Sequence, residues 1–277
     1  MEDALGSLLP TDDTKIGAAM RYAALSGGKR LRAFLTLETG VLFRVPKTQS
    51  LRAAAAVECI HAYSLVHDDL PAMDDDDLRR GKPTVHRKWD DATAILAGDA
   101  LQTVAFEILA APQTAPDPAI RVKLITRLAQ AAGAAGMVGG QALDIAAETS
   151  PTPLSLDEIS YLQSLKTGAL IGWAVEAGAV LGKSDASNLI RYAAALGLAF
   201  QVRDDILDVT GSPDATGKAT QKDAEAGKAT FVSLLGLEGA RKKARDLVST
   251  ACDTLAPYGS AAENLRHAAA FAISRKK

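Results

Sequence analysis

The sequence predicts an all-α protein, and three observations lead to that prediction. Apolar residues recur at helical spacing along almost the whole chain, in segments rich in alanine and leucine. Sustained alternation of apolar and polar residues, which would indicate strands, is absent. Several segments are apolar on nearly every side, as expected of central helices in a large bundle.

The predicted helices and the breaks between them follow in chain order. The helical segments are 52–67, 93–111, 121–135, 166–181, 188–208 and 229–254. The breaks, rich in proline, glycine or polar residues, fall at Pro46, 80–84, 112–118, 149–155 and 211–228. Because no low-complexity linker or repeat divides the chain, we expect residues 1–277 to form a single domain.

Two local signals indicate where helices begin and end. Residues 27–32, Gly-Gly-Lys-Arg-Leu-Arg, are expected to open a further helix, whose free amides and cationic side chains could hold an anion. Pro71 lacks an amide donor and clashes with the preceding turn, so the helix over 52–67 should end close to Asp69.

Composition narrows the class of protein. The chain has 277 residues, is 48% hydrophobic and carries a formal net charge of -2, which disfavours nucleic acid as a partner. Aromatic residues make up 5% of the chain, too few for stacking single-stranded bases. Two cysteines argue against a disulfide framework and fit a reducing cytoplasm. No apolar run of membrane-spanning length and no signal peptide are evident, so a soluble cytoplasmic protein is expected.

Two clusters of carboxylates stand out at the ends of apolar helices. The first contains Asp68, Asp69 and Asp74, and the second, 204–208, reads Asp-Asp-Ile-Leu-Asp. Closely spaced carboxylates raise one another's pKa unless a cation neutralises them. Mg²⁺ takes oxygen ligands from a few carboxylates and leaves room for phosphate oxygens, so it is the predicted ion. Two solvated acidic helix ends are the alternative.

Basic residues come in matching groups. They are residues 27–32, the pair Arg79-Arg80 after the first acidic cluster, Lys166 before Thr167-Gly168, and Lys218 and Lys228 around a polar loop. Seen alone, each group fits a solvated helix face. Together with two acidic clusters, these groups predict a site for diphosphates bridged through Mg²⁺.

These motifs occur in the order and roughly the spacing of a known family. Residues 58–81 resemble the first aspartate-rich motif of the trans-isoprenyl diphosphate synthases, and residues 200–208 resemble the second. Further matches are 27–32, 139–144 (Gly-Gly-Gln-Ala-Leu-Asp), 166–168 (Lys-Thr-Gly) and 227–230 (Gly-Lys-Ala-Thr). The resemblance runs from about residue 17 to the C-terminus and is most specific to bacterial farnesyl diphosphate synthases, whose first motif is lengthened by two residues.

The resemblance implies a fold and an activity. The fold is the orthogonal helical bundle of the isoprenoid synthase type, usually homodimeric, with both acidic clusters at the mouth of a central apolar cavity. The activity is Mg²⁺-dependent head-to-tail prenyl transfer, in which isopentenyl diphosphate is condensed with dimethylallyl diphosphate and then geranyl diphosphate. The product is farnesyl diphosphate (C15), and geranylgeranyl diphosphate (C20) is the alternative within the family.

The resemblance also assigns ligands by position. Three Mg²⁺ ions are implied, with Mn²⁺ as an alternative ion; two are assigned to Asp68, Asp74 and Asp144, and the third to Asp204, supported by Asp205 and Asp208. Asp69 is either a further ligand or an acceptor beside the ions.

The allylic diphosphate is assigned to Arg79, Lys166 and Lys218, with Lys228 nearby. The diphosphate of isopentenyl diphosphate is assigned to Lys29, Arg32, His61 and Arg80, with the Gly28 backbone close by. His61 lies two turns before Asp68 on one helix face, which supports its place in this set.

Further groups are implied around the reacting carbon and the growing chain. The Thr167 hydroxyl, the Lys166 carbonyl and the Gln201 amide oxygen would stabilise an allylic carbocation, and Gln141 belongs to the substrate site. Tyr63, five residues before Asp68 and beside the small Ser64, is implied to stop the growing tail near fifteen carbons. Packing of Tyr63 in the core, with its hydroxyl paired, is the alternative.

Three other functions fit these motifs less well. A class I terpene cyclase normally has an Asn/Ser/Glu-type second motif, unlike 204–208, and a phosphohydrolase would want more than the four histidines present. Intact motifs argue against a silent partner subunit. The N-terminus is shorter than is usual for the family, so the first helix is expected to be missing or truncated. Arg203 stands where related enzymes often have Gln, and the basic tail 274–277 either covers the isopentenyl site or is solvated.

Overall fold

The structure, a computed structural model, describes residues 1–210 and 229–275 as a set of helices. The α-helices, in chain order, are α1 (Glu2–Leu8), α2 (Lys15–Leu25), α3 (Leu31–Leu42), α4 (Lys47–Asp68), α5 (Val85–Lys88), α6 (Asp91–Ala110), α7 (Pro118–Ala132), α8 (Met137–Glu148), α9 (Leu156–Gln163), α10 (Ala169–Leu181), α11 (Ser187–Thr210), α12 (Phe231–Thr254) and α13 (Glu263–Ser274). A π-helical segment, Ser164–Gly168, joins α9 to α10, and a 3₁₀ segment, Ala256–Ala262, precedes α13. Strands β1 (Leu78–Arg79) and β2 (Lys82–Pro83) pair antiparallel after the first acidic cluster.

The all-α prediction is confirmed, with two local differences. The segment expected to start as an ordinary helix at residue 166 begins inside the π-helical segment instead. Helix α12 is interrupted by a kink at Gly236, whose φ of 70° lies outside the helical region. The predicted break at 211–228 lies outside the described residues. The single-domain organisation stays a prediction.

The core is built around α4, α10 and α11. Helix α4 packs against α3 and α6, α10 packs against α3 and α7, and α11 packs against α12. Polar side chains tie outer helices to this core, since the Trp173 indole N–H donates to the Leu124 carbonyl at 3.2 Å and the Tyr192 hydroxyl donates to the Leu265 carbonyl at 2.7 Å. Both Trp173 and Tyr192 are buried. These packed helices therefore frame the predicted site at their ends.

Helix α6 corrects one expectation from the sequence. Among the described residues, it is long and apolar enough to cross a membrane by length and composition, although no such run was expected. Half of its apolar window is buried inside the protein. Asp90 caps the start of α6 by accepting from the Thr93 amide at 2.7 Å, and Lys15 of α2 contacts the same carboxylate at 2.5 Å.

The N-terminal helix is short but docked. Helix α1 spans Glu2–Leu8, and its Leu5 is fully buried in the core. The Glu2 carboxylate accepts from the Arg30 guanidinium at 2.8 Å. This contact joins α1 to the basic loop at residues 27–32.

Candidate active site

The π-helical segment is the place where the parts of the predicted site meet. Its Lys166 ammonium lies 2.7 Å from the Asp144 carboxylate of α8, and its Thr167 hydroxyl lies 3.5 Å from the Gln201 amide oxygen of α11. Lys166 also lowers the pKa of Asp68, at the end of α4, against the raising effect of burial. Rare π turns occur frequently at functional sites. The structure thus brings three motifs that are distant in sequence to one segment.

A glycine allows helix α8 to approach this segment. A Cβ atom at Gly140 would lie 2.2 Å from the Lys166 backbone nitrogen, a distance that real Cβ atoms do not reach. Only glycine therefore fits this close contact between backbones. One turn later, Asp144 is within hydrogen-bonding reach of Lys166.

The first acidic cluster forms at the end of α4, where Pro71 predicted the helix to stop. The Asp74 amide donates to the Asp68 carbonyl at 2.8 Å, which folds the loop back over the helix end. Burial raises the pKa of Asp68 to about 6, with the charges of Asp74 and Asp69 adding to the rise while Lys166 and Arg79 oppose it. The surroundings of Asp68 therefore disfavour the negatively charged form of its carboxyl group.

Asp69 points into the protein and binds Arg79. Its buried carboxylate accepts from the Arg79 guanidinium, which also lies 3.4 Å from Asp76. This contact fixes the Arg79 side chain that was expected to hold the allylic diphosphate, and the choice between the two roles of Asp69 stays a prediction.

The second acidic cluster lies on the last turns of α11. The Asp204 carboxylate is 2.7 Å from the Arg275 guanidinium. The buried Asp205 accepts from the Gln201 side-chain nitrogen at 3.0 Å and from the Phe231 amide at 2.8 Å. Asp208 is partly buried one turn after Asp204. The aspartates of this cluster thus have different environments.

The basic loop at residues 27–32 is held by a buried acid that the sequence analysis missed. Glu58 accepts from the Arg30 guanidinium at 3.0 Å and from the Ala33 amide at 3.1 Å. Arg30 has a φ of 49°, so it is held in a left-handed conformation at the start of α3. The signal in the sequence was a lone Glu on an otherwise apolar stretch of α4, three residues before His61.

Gly28 and Arg80 fit directly against each other. Gly28 has a φ of 119°, and a Cβ atom there would lie 2.6 Å from the guanidinium carbon of Arg80. The Arg80 guanidinium donates to the Gly27 carbonyl. The hairpin of β1 and β2 therefore places Arg80 beside the basic loop, and a diphosphate site shared by the two stays a prediction.

Positive charge accumulates around His61. Burial lowers the pKa of His61 well below its ordinary value, and the charges of Arg32, Arg80, Arg79 and Arg30 lower it further. Two predicted substrate-binding residues also carry buried atoms with no hydrogen-bond partner among the described residues, namely Arg32 Nε and Gln141 Oε1. Such atoms are rare in folded proteins, and an unmet donor amid positive charge fits an anionic ligand.

The residues present fit Mg²⁺ that is shared with a diphosphate. Within residues 1–210 and 229–275, no three histidine, cysteine or carboxylate side chains come close enough to hold a metal ion by themselves. Mg²⁺ usually takes only one or two carboxylates and completes its shell with water and substrate phosphate oxygens. Single carboxylates can therefore supply the protein ligands of such an ion, while neighbouring cationic side chains hold the diphosphate that completes its shell.

Arg275, the last described residue, docks onto the second acidic cluster. The Arg275 guanidinium stacks 3.8 Å from the centre of the Phe200 ring and donates to the Phe200 carbonyl at 2.9 Å. Arg203 donates to the Arg275 carbonyl at 2.5 Å, so it holds the chain end. Lys29 of the basic loop lies 5.7 Å from the same ring. The tail is therefore docked on α11 at Arg275, and coverage of the isopentenyl site by residues 274–277 stays a prediction.

Of the remaining predicted residues, the structure describes Tyr63 and Ser64. Tyr63 is 6% exposed, lies edge-on to His67, and its buried hydroxyl has no partner in the described part of the chain, unlike the paired hydroxyl expected of a core tyrosine. Ser64 donates to the His61 carbonyl at 3.0 Å. Lys218 and Lys228 lie outside the described residues.

Comparison with known proteins decides the family. The sequence pattern described as polyprenyl synthetase matches residues 13–261. The chain belongs to the polyprenyl synthetase family. Its motifs at 27–32, 58–81, 139–144, 166–168 and 200–208 all fall within the match, which confirms the resemblance drawn from the sequence.

Individual members of the polyprenyl synthetase family are similar over most of their length. The farnesyl diphosphate synthase of Escherichia coli (strain K12) is 53% identical over 252 residues, which are 89% of this chain and 84% of that protein. An apo crystal structure of an FPP/GFPP synthase from Zymomonas mobilis has 49% identity and a TM-score of 0.90, covering 98% of this chain and 94% of that one.

A third relative was crystallised with ligands. The geranyltransferase from Helicobacter pylori, complexed with magnesium and isoprenyl diphosphate, has 37% identity and a TM-score of 0.82, covering 96% of this chain and 93% of that one. This polyprenyl synthetase therefore has the all-α isoprenoid synthase fold that the sequence predicted. The central apolar cavity itself stays a prediction.

Proposed function

We propose that the protein is a Mg²⁺-dependent trans-prenyltransferase that makes farnesyl diphosphate from isopentenyl diphosphate and dimethylallyl or geranyl diphosphate. One observation carries the proposal: Lys166 and Thr167 lie between Asp144 and Gln201, beside the first acidic cluster. A segment with this position can hold a diphosphate and its hydrocarbon at once. Similarity to bacterial farnesyl diphosphate synthases supports the same reaction.

The reaction begins when an allylic carbon–oxygen bond breaks. Its electron pair leaves with the diphosphate oxygen, and an allylic carbocation remains. Arg79 and Lys166 hold the departing diphosphate, with Lys218 and Lys228 assigned to the same group. Bound Mg²⁺ would neutralise charge as it develops on the leaving group. The oxygens of Thr167 and Gln201 face the cation with their negative ends.

The second step forms the new carbon–carbon bond. Lys29, Arg32, His61 and Arg80 hold isopentenyl diphosphate, with the Gly28 backbone and Gln141 nearby, so that its double bond can attack the carbocation. A proton then leaves the new intermediate for the diphosphate released in the first step, which balances the reaction. No side chain of the protein acts as a nucleophile.

The proposed ions are three Mg²⁺, with Mn²⁺ as an alternative. Asp68, Asp74, Asp144 and Asp204 would hold them, with Asp208 beside the third. In the structure, Lys166 and Arg275 contact the carboxylates of Asp144 and Asp204. Metal binding would therefore replace or share contacts that these cationic side chains make.

The proposed product has fifteen carbons. Tyr63 is buried on α4, within two turns of the first acidic cluster, and its ring can limit the space for a growing tail. Beside it, Ser64 contributes little bulk. A C20 product is the alternative, which would follow if the ring does not reach the tail.

The protein is further proposed to be a cytoplasmic homodimer. Helix α6 exposes Ile95 by 45% and Leu96 by 54%, while Val122 on α7 is 62% exposed. Apolar side chains on neighbouring helices provide a surface that a second copy of the chain can cover.

The function is tested by incubating the purified protein with isopentenyl and dimethylallyl diphosphate in the presence of Mg²⁺, and sizing the products. A C15 diphosphate that disappears when EDTA removes the metal is expected. Absence of any condensed product would overturn the proposed function, and a C20 product would overturn only the chain length.

A further inference from the structure

Gln201 and Asp205 form a pair on one face of α11. They lie four residues apart, the spacing at which helical side chains meet. Asp205 is 5% exposed, and its two oxygens have different partners. Oδ1 accepts from the Gln201 side-chain nitrogen at 3.0 Å, and Oδ2 accepts from the Phe231 amide at 2.8 Å.

The carboxylate decides which end of the Gln201 amide faces the site. An ionised carboxylate only accepts hydrogen bonds, so the NH₂ end of the amide must turn toward Asp205. The amide oxygen consequently turns away, toward Thr167, whose hydroxyl lies 3.5 Å from it. The opposite orientation would set two oxygens against each other.

The Phe231 amide keeps this arrangement from rotating. A backbone N–H can only donate, so it fixes Asp205 Oδ2 at the start of α12. Phe231 is fully buried, and Thr230 caps the helix by accepting from the Ser233 amide at 3.1 Å. The orientation of Gln201 therefore depends on a helix that belongs to a different part of the chain.

We infer that Asp205 is a positioning residue, which holds the Gln201 oxygen toward the carbon where positive charge develops. The inference rests on the proposed function and differs from the metal-supporting role that the family resemblance assigns to Asp205. A fixed dipole stabilises a forming charge because it needs no reorganisation during the reaction. The buried negative charge behind the amide also strengthens that dipole.

Asp205→Asn tests the inference, because it inverts the hydrogen bonds and keeps the shape. The Asn oxygen can satisfy the Phe231 N–H, while its NH₂ group faces Gln201 and draws the Gln201 oxygen toward residue 205. We expect kcat to fall roughly 10- to 100-fold, somewhat less than the loss of a direct oxyanion donor. The KM for geranyl diphosphate and the Mg²⁺ concentration for half-maximal rate should stay unchanged.

A double-mutant cycle separates the orienting role from others. Gln201→Leu should lower kcat by a similar factor, and adding Asp205→Asn should lower it less than about threefold further, because the group that Asp205 orients is gone. Independent, multiplicative effects, or a shifted Mg²⁺ requirement in Asp205→Asn, would overturn the inference.

Two more variants check the folded state. Asp205→Glu keeps an acceptor and is expected to retain more kcat than Asp205→Asn at equal thermal stability; the reverse order contradicts orientation by an acceptor. Ser233→Ala removes the hydroxyl that accepts from the Thr230 amide at 2.9 Å, which weakens the same helix start without touching Gln201, and should lower the melting temperature while kcat is kept. If Ser233→Ala reproduces the kcat loss, anchoring of α12 explains the effect and the inference fails. A wild-type protein without prenyl transfer would instead defeat the proposed function.

Discussion

Acidic residues of the site lie in contact with cationic side chains of the protein, and the contacts differ from one residue to the next. Asp69 is bound by Arg79, Asp144 by Lys166 and Asp204 by Arg275. Asp68 lies among other carboxylates, and burial raises its pKa to about 6. Removing a carboxylate should therefore affect stability differently at each position, although Asp68, Asp144 and Asp204 are all proposed to hold Mg²⁺.

Asp68→Ala and Asp204→Ala compare the two positions. Each is expected to lower kcat by roughly 10²–10³-fold or more, because each removes a proposed metal ligand. In EDTA, Asp68→Ala should keep or raise the melting temperature, since it relieves repulsion and desolvation. Asp204→Ala should lower it, since it leaves the buried Arg275 guanidinium without its carboxylate.

Steady-state kinetics and thermal unfolding measure both effects. Arg275→Gln in the Asp204→Ala background serves as the control, and should recover part of the lost stability but none of the activity. Wild-type turnover in either single variant would contradict the assigned metal sites.

Tyr63 is the residue that should set product length. Tyr63→Ala removes the buried ring, and products of C20 and longer are expected, with a stability loss of about 3–5 kcal/mol typical of a buried aromatic. Tyr63→Phe is the matched control, because it keeps the ring and removes only a hydroxyl that has no partner among the described residues. It should keep the C15 product and lose no stability. Sizing the products by chromatography decides; an unchanged C15 distribution in Tyr63→Ala would remove Tyr63 from this role.

At the scale of elements, the ends and junctions of helices build the site. Helices α4 and α11 end at the two acidic clusters, α3 begins at the basic loop, and the π-helical segment joins them. Long apolar segments predicted α4, α6, α10 and α11, because central helices of a bundle are buried on several sides. Segments of this kind could not reveal the π-helical segment, since a change in backbone hydrogen bonding over five residues leaves no separate apolar pattern.

Pairs distant in sequence were also beyond prediction from single motifs. Arg30 and Glu58, or Asp204 and Arg275, meet only because their helices pack side by side. Seen alone in the sequence, each of these residues is consistent with a solvated charge or with part of a short motif, and neither indicates its partner. The motifs indicated that Lys166 and Thr167 belong to one site with Asp144 and Gln201, whereas tertiary packing decided which carboxylate binds which cation.

Gly140→Ala tests the contact between α8 and the π-helical segment. The new Cβ would meet a backbone nitrogen at 2.2 Å, which no side-chain rotation can relieve, so α8 must shift. We expect a stability loss of roughly 1–3 kcal/mol and a marked fall in kcat as Asp144 moves from Lys166. Gly172→Ala in α10 is the control, since a Cβ there meets nothing within 4 Å and alanine favours the helix. Thermal unfolding and steady-state kinetics of both variants measure these effects. If Gly140→Ala has the stability and kcat of the wild type, the close approach of α8 is not required.

At the scale of the whole molecule, helix ends build the candidate site, whereas α6 and α7 carry apolar side chains that are exposed on the surface of the single chain. Helix α6 is apolar along its length but only half buried, so part of its apolar surface faces outward from the chain. A surface of this kind is stable in water when another protein covers it. A second copy of the chain is the proposed cover, which makes the oligomeric state a test of how α6 is used.

Leu96→Glu should separate the two copies. It replaces an apolar side chain, which is 54% exposed in the single chain, by a charged one that the proposed dimer would bury. The wild type is expected at about twice the chain mass of 28.9 kDa in light scattering, and the variant at the mass of one chain. Val41→Glu is the control, since Val41 is 69% exposed on α3 and should leave the mass unchanged. A wild-type protein that has the mass of one chain at every concentration would contradict the dimer. If Leu96→Glu stays dimeric instead, the interface lies on other helices, and α6 owes its apolar character to the core alone.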